Sequence, residues 1–244
     1  MWKNIGYQQC LSFINCQLRP GGLLSGRYGS PIRPAVTISR MAGSGGHTIA
    51  SQLAEYLQTC APVDCRWTVF DRNLIEKALE EHHLPKRMAE YMPENHTHIF
   101  GDMLEEFLGL HPSSWVLLQQ TRETILHLAQ MGHVILVGRG ANVITRKLEN
   151  VFHVRLVGSV AKRAVRMQQL YEVDRRRALE LVHQEDRGRS RYLKEHFGAD
   201  IDDPLLYHLI INTDQIRYDD AARLIGDEVM RRFHLERRGE TAAA

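Results

Sequence analysis

Residues 36–48 read VTISRMAGSGGHT. Val36–Ser39 is a short β-rich run. A glycine cluster follows at Gly43, Gly45 and Gly46, and then Ile49, Leu53 and Leu57 recur at i, i+4 and i+8, one face of a helix. Strand, glycine turn and helix in that order outline a phosphate-binding loop. Glycines reach backbone angles closed to other residues. Their N–H groups can turn inward as an anion nest, and a helix starting near Thr48 adds its partial positive charge. The usual pattern G-x-x-x-x-G-K-[ST] is nevertheless broken. With Gly45 as the second glycine, Arg40 takes the first position, Gly46 the lysine position and His47 the next, with Thr48 one residue later. Ser44 or Thr48 could offer a hydroxyl to phosphate or to a magnesium ion. Arg40, or His47, could offer the missing cation, and arginine is always charged and fork-shaped. Read alone, the stretch is either such a cradle or a tight structural turn.

Working outward, further strand-like runs stand at Trp67–Phe70, Val134–Val137, Phe152–Val157 and Leu209–Asn212. Helical patterns fall at 49–58, 114–131, 159–170, 174–196 and 219–233, with Trp115, Leu118, Ile125, Leu126 and Ala129 marking the core face of the second. Strands alternating with helices predict a three-layer α/β fold, a parallel sheet with helices on both faces. Near-continuous apolar strands such as VILV agree. The stretch 82–112 is too long for a plain connection and reads as a helical insertion over one end of the sheet, where substrate pockets and lids are often built. Residues 19–34 hold four Gly and three Pro, a linker composition. This sets an arm and linker at 1–34, a main domain at 35–236 and a disordered tail at 237–244.

The 244 residues are 43% hydrophobic and 25% charged, with a net charge of +2. That balance is too near neutral to indicate a nucleic-acid partner. The charge is uneven, however. Residues 155–195 hold eleven Lys/Arg against six Asp/Glu, which suits a small, multiply charged anion. The four cysteines, Cys10, Cys16, Cys60 and Cys65, lack the tight spacing of zinc sites and read as free thiols in a reducing cytoplasm. His82–His83 and His96-x-His98 have no acidic or cysteine cluster to make a metal site. No apolar run approaches the length that spans a membrane, and the N-terminus lacks the pattern of a signal peptide. A cytoplasmic protein without a membrane partner is the expectation.

Two further stretches bear on the loop. VILVGRGANVI (134–144) is a buried strand ending in Gly-Arg-Gly. Ligands in parallel sheets bind beyond the carboxyl ends of strands, so Arg139 is expected on the same edge as the glycine loop. HQEDRGRSRYLKEHFGADIDDPLLYHLIINT (183–213) crowds Arg187, Arg189 and Arg191 onto a helix before an acidic turn and a last strand. Together with ISRMAGSGGHTIASQLAE, VFDRNLI and the closing helix, these stretches resemble the cytidylate kinase-like proteins over about residues 35–233. These are relatives of bacterial cytidylate kinase within the nucleoside monophosphate kinases, a P-loop fold with a helical lid and a substrate insertion.

The resemblance implies an ATP- and Mg2+-dependent kinase whose partner is a small-molecule nucleotide, most naturally CMP or dCMP. Ser39, Gly43, Ser44, Gly45, Gly46, His47 and Thr48 would line the ATP phosphates, with Ser44 or Thr48 toward Mg2+. The lysine-less SR-x-x-GSGG pattern is common in this branch, where Arg usually follows GSGG; here it is His47, which leaves more to Arg40. Asp71 and Arg139 would lie at the acceptor. Arg40, Arg139, Arg187 and Arg191 would be catalytic cations. Arg163 and Arg166, with Arg175–Arg177, would sit in the lid, and Asn212 and Thr213 near the adenine. Two acidic residues of cytidylate kinase proper are replaced by Gly140 and Gly188, which opens the base specificity. Bland roles stand beside these. Asp71 could cap a helix at Asn73–Leu79, and the arginines of 159–177 could be a solvated face. A kinase for another small acceptor, or a nucleotide-binding regulator without turnover, are the alternatives.

Overall fold

The computed structural model describes residues 2–17, 32–71 and 114–235. In chain order its elements are helix α1 (Trp2–Gln17), strand β1 (Ala35–Arg40), helix α2 (Gly46–Cys60), strand β2 (Thr68–Asp71) and helix α3 (Ser114–Met131). Strand β3 (Val134–Val137), the one-turn helix α4 (Ala141–Ile144), strand β4 (Val151–Val157), helix α5 (Val160–Tyr171) and helix α6 (Arg175–Phe197) follow. A 3-10 turn at Pro204–Leu206, strand β5 (Leu209–Asn212) and helix α7 (Tyr218–Arg232) complete the chain. The expected insertion at 82–112, the helix at 73–79, the tail at 237–244, most of the linker and the side chain of Trp115 lie outside the described residues.

The five strands form one parallel sheet in the order β2-β3-β1-β4-β5. β1 is central, paired to β3 from Ala35↔Val134 and to β4 from Ala35↔Val151. Strand alternation divides its side chains between two cores. Val36 and Ile38 join Ile135, Val137, Phe152, Val154 and Leu156 beneath α2 and α7. Ala35 joins Val134, Leu136, Phe70 and Val151 beneath α3 and α1. Ile49, Leu53 and Leu57 of α2 are all 0% exposed, and burying each contributes about 2 kcal/mol. The three-layer α/β architecture expected from the strand and helix pattern is the one observed. No described helix is long and apolar enough to cross a membrane.

α1 belongs to the second core. Cys10, Phe13 and Ile14 are buried against β2, with Phe13 edge-on to Phe70 at 5.8 Å and the Cys10 thiol donating to the Val69 carbonyl at 3.7 Å. Burial pushes that thiol up to about 12, with Asp71 adding to the shift. The expectation of four free thiols is corrected here. Cys16 at the end of α1 is disulfide-bonded to Cys65 in the turn before β2, leaving Cys10 and Cys60 free. Docking of α1 decides this pairing, and cysteine spacing cannot reveal it. The bond also removes the free-thiol argument for a reducing compartment.

On the β4–β5 edge the buried imidazole of His153 lies against the exposed one of His208. The His153 and His208 rings stack at 5.0 Å and 9°. Thr37 Oγ1 is 2.8 Å from His153 Nδ1, and the His153 backbone N–H donates to His208 Nδ1 at 2.9 Å. His208 is therefore neutral, with its proton on Nε2.

Two stability predictions follow from this packing. The cross-link spans 49 residues, which is worth about 4 kcal/mol at most through the unfolded chain. Reductant should lower the melting temperature by about 5–10 °C and have no such effect on a Cys16→Ser variant. His133 and His153 are held down to about 4, chiefly by burial. The unfolded chain therefore binds more protons, and stability is full above about pH 6.5 and falls toward pH 4. The loss should approach about 1.4 kcal/mol per pH unit for each histidine, measured as the urea midpoint against pH.

Candidate active site

Because every strand runs the same way, their carboxyl ends share one edge. That edge carries Arg40 from β1, Asp71 from β2, the Gly138–Gly140 turn after β3, and Asn212 and Thr213 from β5. The glycine loop spans Met41–Gly45 between β1 and α2. Gly43 and Gly45 take left-handed φ of 73° and 81°, conformations that bend the chain back over the strand end. α2 starts with no side-chain cap, whereas Ser159 caps α5 and Asp174 caps α6. An uncapped start leaves the first-turn N–H groups of α2 for an anion.

The missing lysine has a steric explanation. A Cβ on Gly46 would stand 2.9 Å from Arg40 Cγ, and one on Gly138 would stand 2.1 Å from Arg40 Nη1. The arginine stem thus fills the space that a side chain at 46 would need, and its head lies against the β3 turn. Burial holds the Arg40 guanidinium down to about 10, followed by repulsion from Arg189, with Glu185 and Asp71 acting in the opposite sense. It remains charged at neutral pH. His47 does not share that role. Its Nδ1 is 3.6 Å from Asp71 Oδ2. Burial, together with Arg40 and Arg189, nonetheless pushes it below the usual histidine range even though Asp71 pulls the other way. The His47 side chain is 59% exposed, and Arg40 is the permanent cation of the two.

Other sequence-predicted residues separate into groups. Thr48 is exposed on the first turn of α2. Ser44 is 0% exposed and donates to the Met41 carbonyl at 2.8 Å, so it braces the loop from within. Ser39 is also inside, its hydroxyl accepting from Arg155 Nη1 at 3.0 Å. Arg139 has a left-handed φ of 55°, and its guanidinium lies over the Tyr192 ring at 5.7 Å. Thr213 is 3% exposed and donates to the Val157 carbonyl, while the exposed Asn212 accepts the Asp214 N–H at 2.9 Å.

Of the arginines expected in a lid, Arg163 is an interior strut and Arg166 a half-buried one, while Arg175–Arg177 are exposed. Arg163 is 4% exposed and donates to the carbonyls of Ala42 (3.0 Å) and Gly158 (2.8 Å) and to Asp186 (2.6 Å). Arg166 reaches the Thr213 carbonyl at 2.8 Å and stacks on Tyr218 at 4.8 Å. The Tyr218 ring packs on the loop, 2.2 Å from where a Gly45 Cβ would be. Arg187 and Arg191 are exposed. Arg187 lines a cavity of about 530 Å3 along α6 together with Arg176, Arg177, Glu180, His183 and Gln184.

Sequence reasoning missed Arg189 and Asp186. Ala178, Val182 and Leu193 are the buried positions of α6. Asp186 and Arg189 continue that stripe at helical spacing, so the helical phase could have found them. Arg189 pairs with Glu185 and, at 3.3 Å, with Asp186, and its charge acts on both Arg40 and His47. Among the described residues no cluster of metal-ligating side chains is formed.

The sequence profile of the cytidylate kinase-like family matches residues 35–215, and the chain belongs to that family. It is a kinase. Among solved structures it is similar to an uncharacterized protein from Eubacterium ventriosum (TM-score 0.58, 19% identity, 81% of this chain and 98% of that one). More distant likenesses are a shikimate kinase from Bacteroides thetaiotaomicron (TM-score 0.44, 13% identity, 83% of this chain and 99% of that one) and a gluconokinase from Sinorhizobium meliloti (TM-score 0.41, 14% identity, 84% and 94%). No curated protein matches the chain.

The loop geometry predicts a reciprocal relation between positions 40 and 46. Arg40→Ala should lower turnover by about 100-fold or more. Gly46→Lys alone should also lower it, because its Cβ strikes Arg40. Arg40→Gly combined with Gly46→Lys, which restores the glycine and lysine of the usual loop with His47 still at its Ser/Thr position, should exceed Arg40→Ala by about tenfold in kcat/KM, measured by ADP release.

Proposed function

We propose that this kinase transfers the γ-phosphoryl group of ATP to a nucleoside monophosphate, with CMP or dCMP as the first candidates. The observation that carries the reading is the glycine loop itself. It joins an uncapped helix start to a half-buried arginine occupying the space of the usual lysine.

Phosphoryl transfer asks for positioning and for cations around the moving group. The loop and first-turn N–H groups of α2 would hold the donor phosphates. Arg40, and Arg189 on α6, would neutralise charge at the transferring phosphoryl. The donor base would lie on the β5 side, by Asn212, Thr213 and the Arg166–Tyr218 stack. The acceptor would lie on the β2–β3 side, with Asp71 toward its sugar or base and Arg139 and Arg187 toward its phosphate. Mg2+ bound with ATP would offset phosphate charge, with Thr48 and Asp71 as the residues able to hold it; Ser44 is turned away.

Gly188 is exposed with open space around it. Since cytidylate kinase proper carries an acidic residue there, this favours a second reading, the same chemistry on a different small phosphorylated or hydroxyl acceptor.

The test is a coupled ADP-release assay with MgATP and a panel of CMP, dCMP, UMP, AMP, GMP and sugar phosphates. CMP-dependent ADP formation is the expected result. Turnover on another acceptor alone would replace the substrate. Nucleotide-induced stabilisation with no turnover on any acceptor would count against catalysis.

A further inference from the structure

The Asp186 carboxylate sits on the glycine loop itself. Oδ1 accepts the Ala42 backbone N–H at 2.7 Å and Arg189 Nη1 at 3.3 Å. Oδ2 accepts Arg163 Nη1 at 2.6 Å. That same Arg163 nitrogen also donates to the Ala42 carbonyl at 3.0 Å. Both polar groups of one loop residue are thereby clamped, the N–H by a carboxylate from α6 and the carbonyl by a guanidinium from α5. The loop is also pressed onto α5, because a Cβ on Gly43 would stand 2.5 Å from the Arg163 carbonyl oxygen.

The charges make this arrangement unusual. Arg40, Arg163 and Arg189 converge on a loop that has an anion nest of its own, and empty it would be a concentration of positive charge in a poorly solvated place. Asp186 is the carboxylate that touches both the loop and two of these arginines. Glu185, beside it, reaches only Arg189.

We infer that Asp186 is a positioning residue that stands in for a phosphate oxygen at the empty loop, keeping loop and arginines in their anion-binding arrangement, and that it competes with the donor's phosphates. The inference rests on the proposed use of the loop for a nucleotide triphosphate. It has an unusual signature. A purely structural carboxylate, once neutralised, should weaken nucleotide binding or leave it unchanged. A carboxylate that occupies anion space should, once neutralised, let the nucleotide bind more tightly while the chemistry slows, because Arg189 and the loop are no longer held in register.

The test compares the full chain with Asp186→Asn, which keeps the shape and an acceptor for the Ala42 N–H, and with Asp186→Ala. MgATP binding is measured by titration calorimetry, and kcat by ADP release with the acceptor found in the panel. The expected result for Asp186→Asn is MgATP affinity about five-fold tighter and kcat lower by about tenfold or more. Asp186→Ala should lose more kcat than Asp186→Asn, because it also abandons the Ala42 N–H. If Asp186→Ala fails to fold, Asp186→Asn alone decides. Equal or weaker MgATP binding by a folded Asp186→Asn protein would overturn the inference while leaving the kinase reading intact. Absence of MgATP binding by the unmodified protein would overturn both.

Discussion

The site is organised around one half-buried guanidinium. Arg40 leaves the central strand of the sheet, passes under the first turn of α2 and ends against the turn after β3. Each neighbour is shaped to admit it. Gly46 and Gly138 carry no side chain because the arginine is there, and Asp71 and Glu185 supply opposing charge. A lysine at 46 would approach the phosphates from the helix. An arginine at 40 approaches from the strand below, with a planar head and fixed donors. One cation has been exchanged for another with a different origin and a better-defined direction.

Around that centre the polar groups divide by strand order. On the β4–β5 side, Arg166, Tyr218 and Thr213 bind one another and the loop. On the β2–β3 side, Asp71 and His47 gather near Arg40, and Arg139 turns to the Tyr192 ring. α6 spans both, with Asp186 and Arg189 on its inner stripe and Arg187 on its outer one. A single helix therefore touches the loop with one face and borders a cavity with the other. Rotation or translation of α6 would be felt at both places at once.

Much of this was legible in the sequence. VTIS, VILV and FHVRLV could only be buried parallel strands, and Ile49, Leu53 and Leu57 could only be a helix face. The lysine-less loop and its glycines were equally readable. What escaped was whatever depends on contacts between distant segments. Cys16 meets Cys65 because α1 docks on β2, and no spacing rule encodes that docking. Arg163 looked like a lid residue because it stands in a basic helix, but its position on the inner face of α5 turns it into a strut for Ala42. Arg187 and Arg191 drew attention in a run of alternating arginines. The helical phase set by Ala178, Val182 and Leu193 instead turns Arg189 toward the loop, and a periodicity count along α6 would have shown it. Ser39 and Ser44 offered hydroxyls of the right kind, yet burial directs both inward. Composition names the groups, and only packing gives their direction.

The central place of β1 also has a consequence for the order of events during synthesis. Its partners are far downstream; Thr37 and His153, which touch across the β1–β4 pair, are 116 residues apart. At about 5–20 residues per second, β1 waits on the order of 6–23 s on the ribosome before β4 exists to cover it. Until β3 emerges, the described elements made alongside this apolar strand and its glycine loop are α1, α2, β2 and α3, none of which pairs with β1. A strand that must close pairs of such long range bears the loop-closure cost before any reward. The nascent chain is most exposed to misassociation in its first half, and the glycine loop is among the last parts of the fold to acquire its final shape.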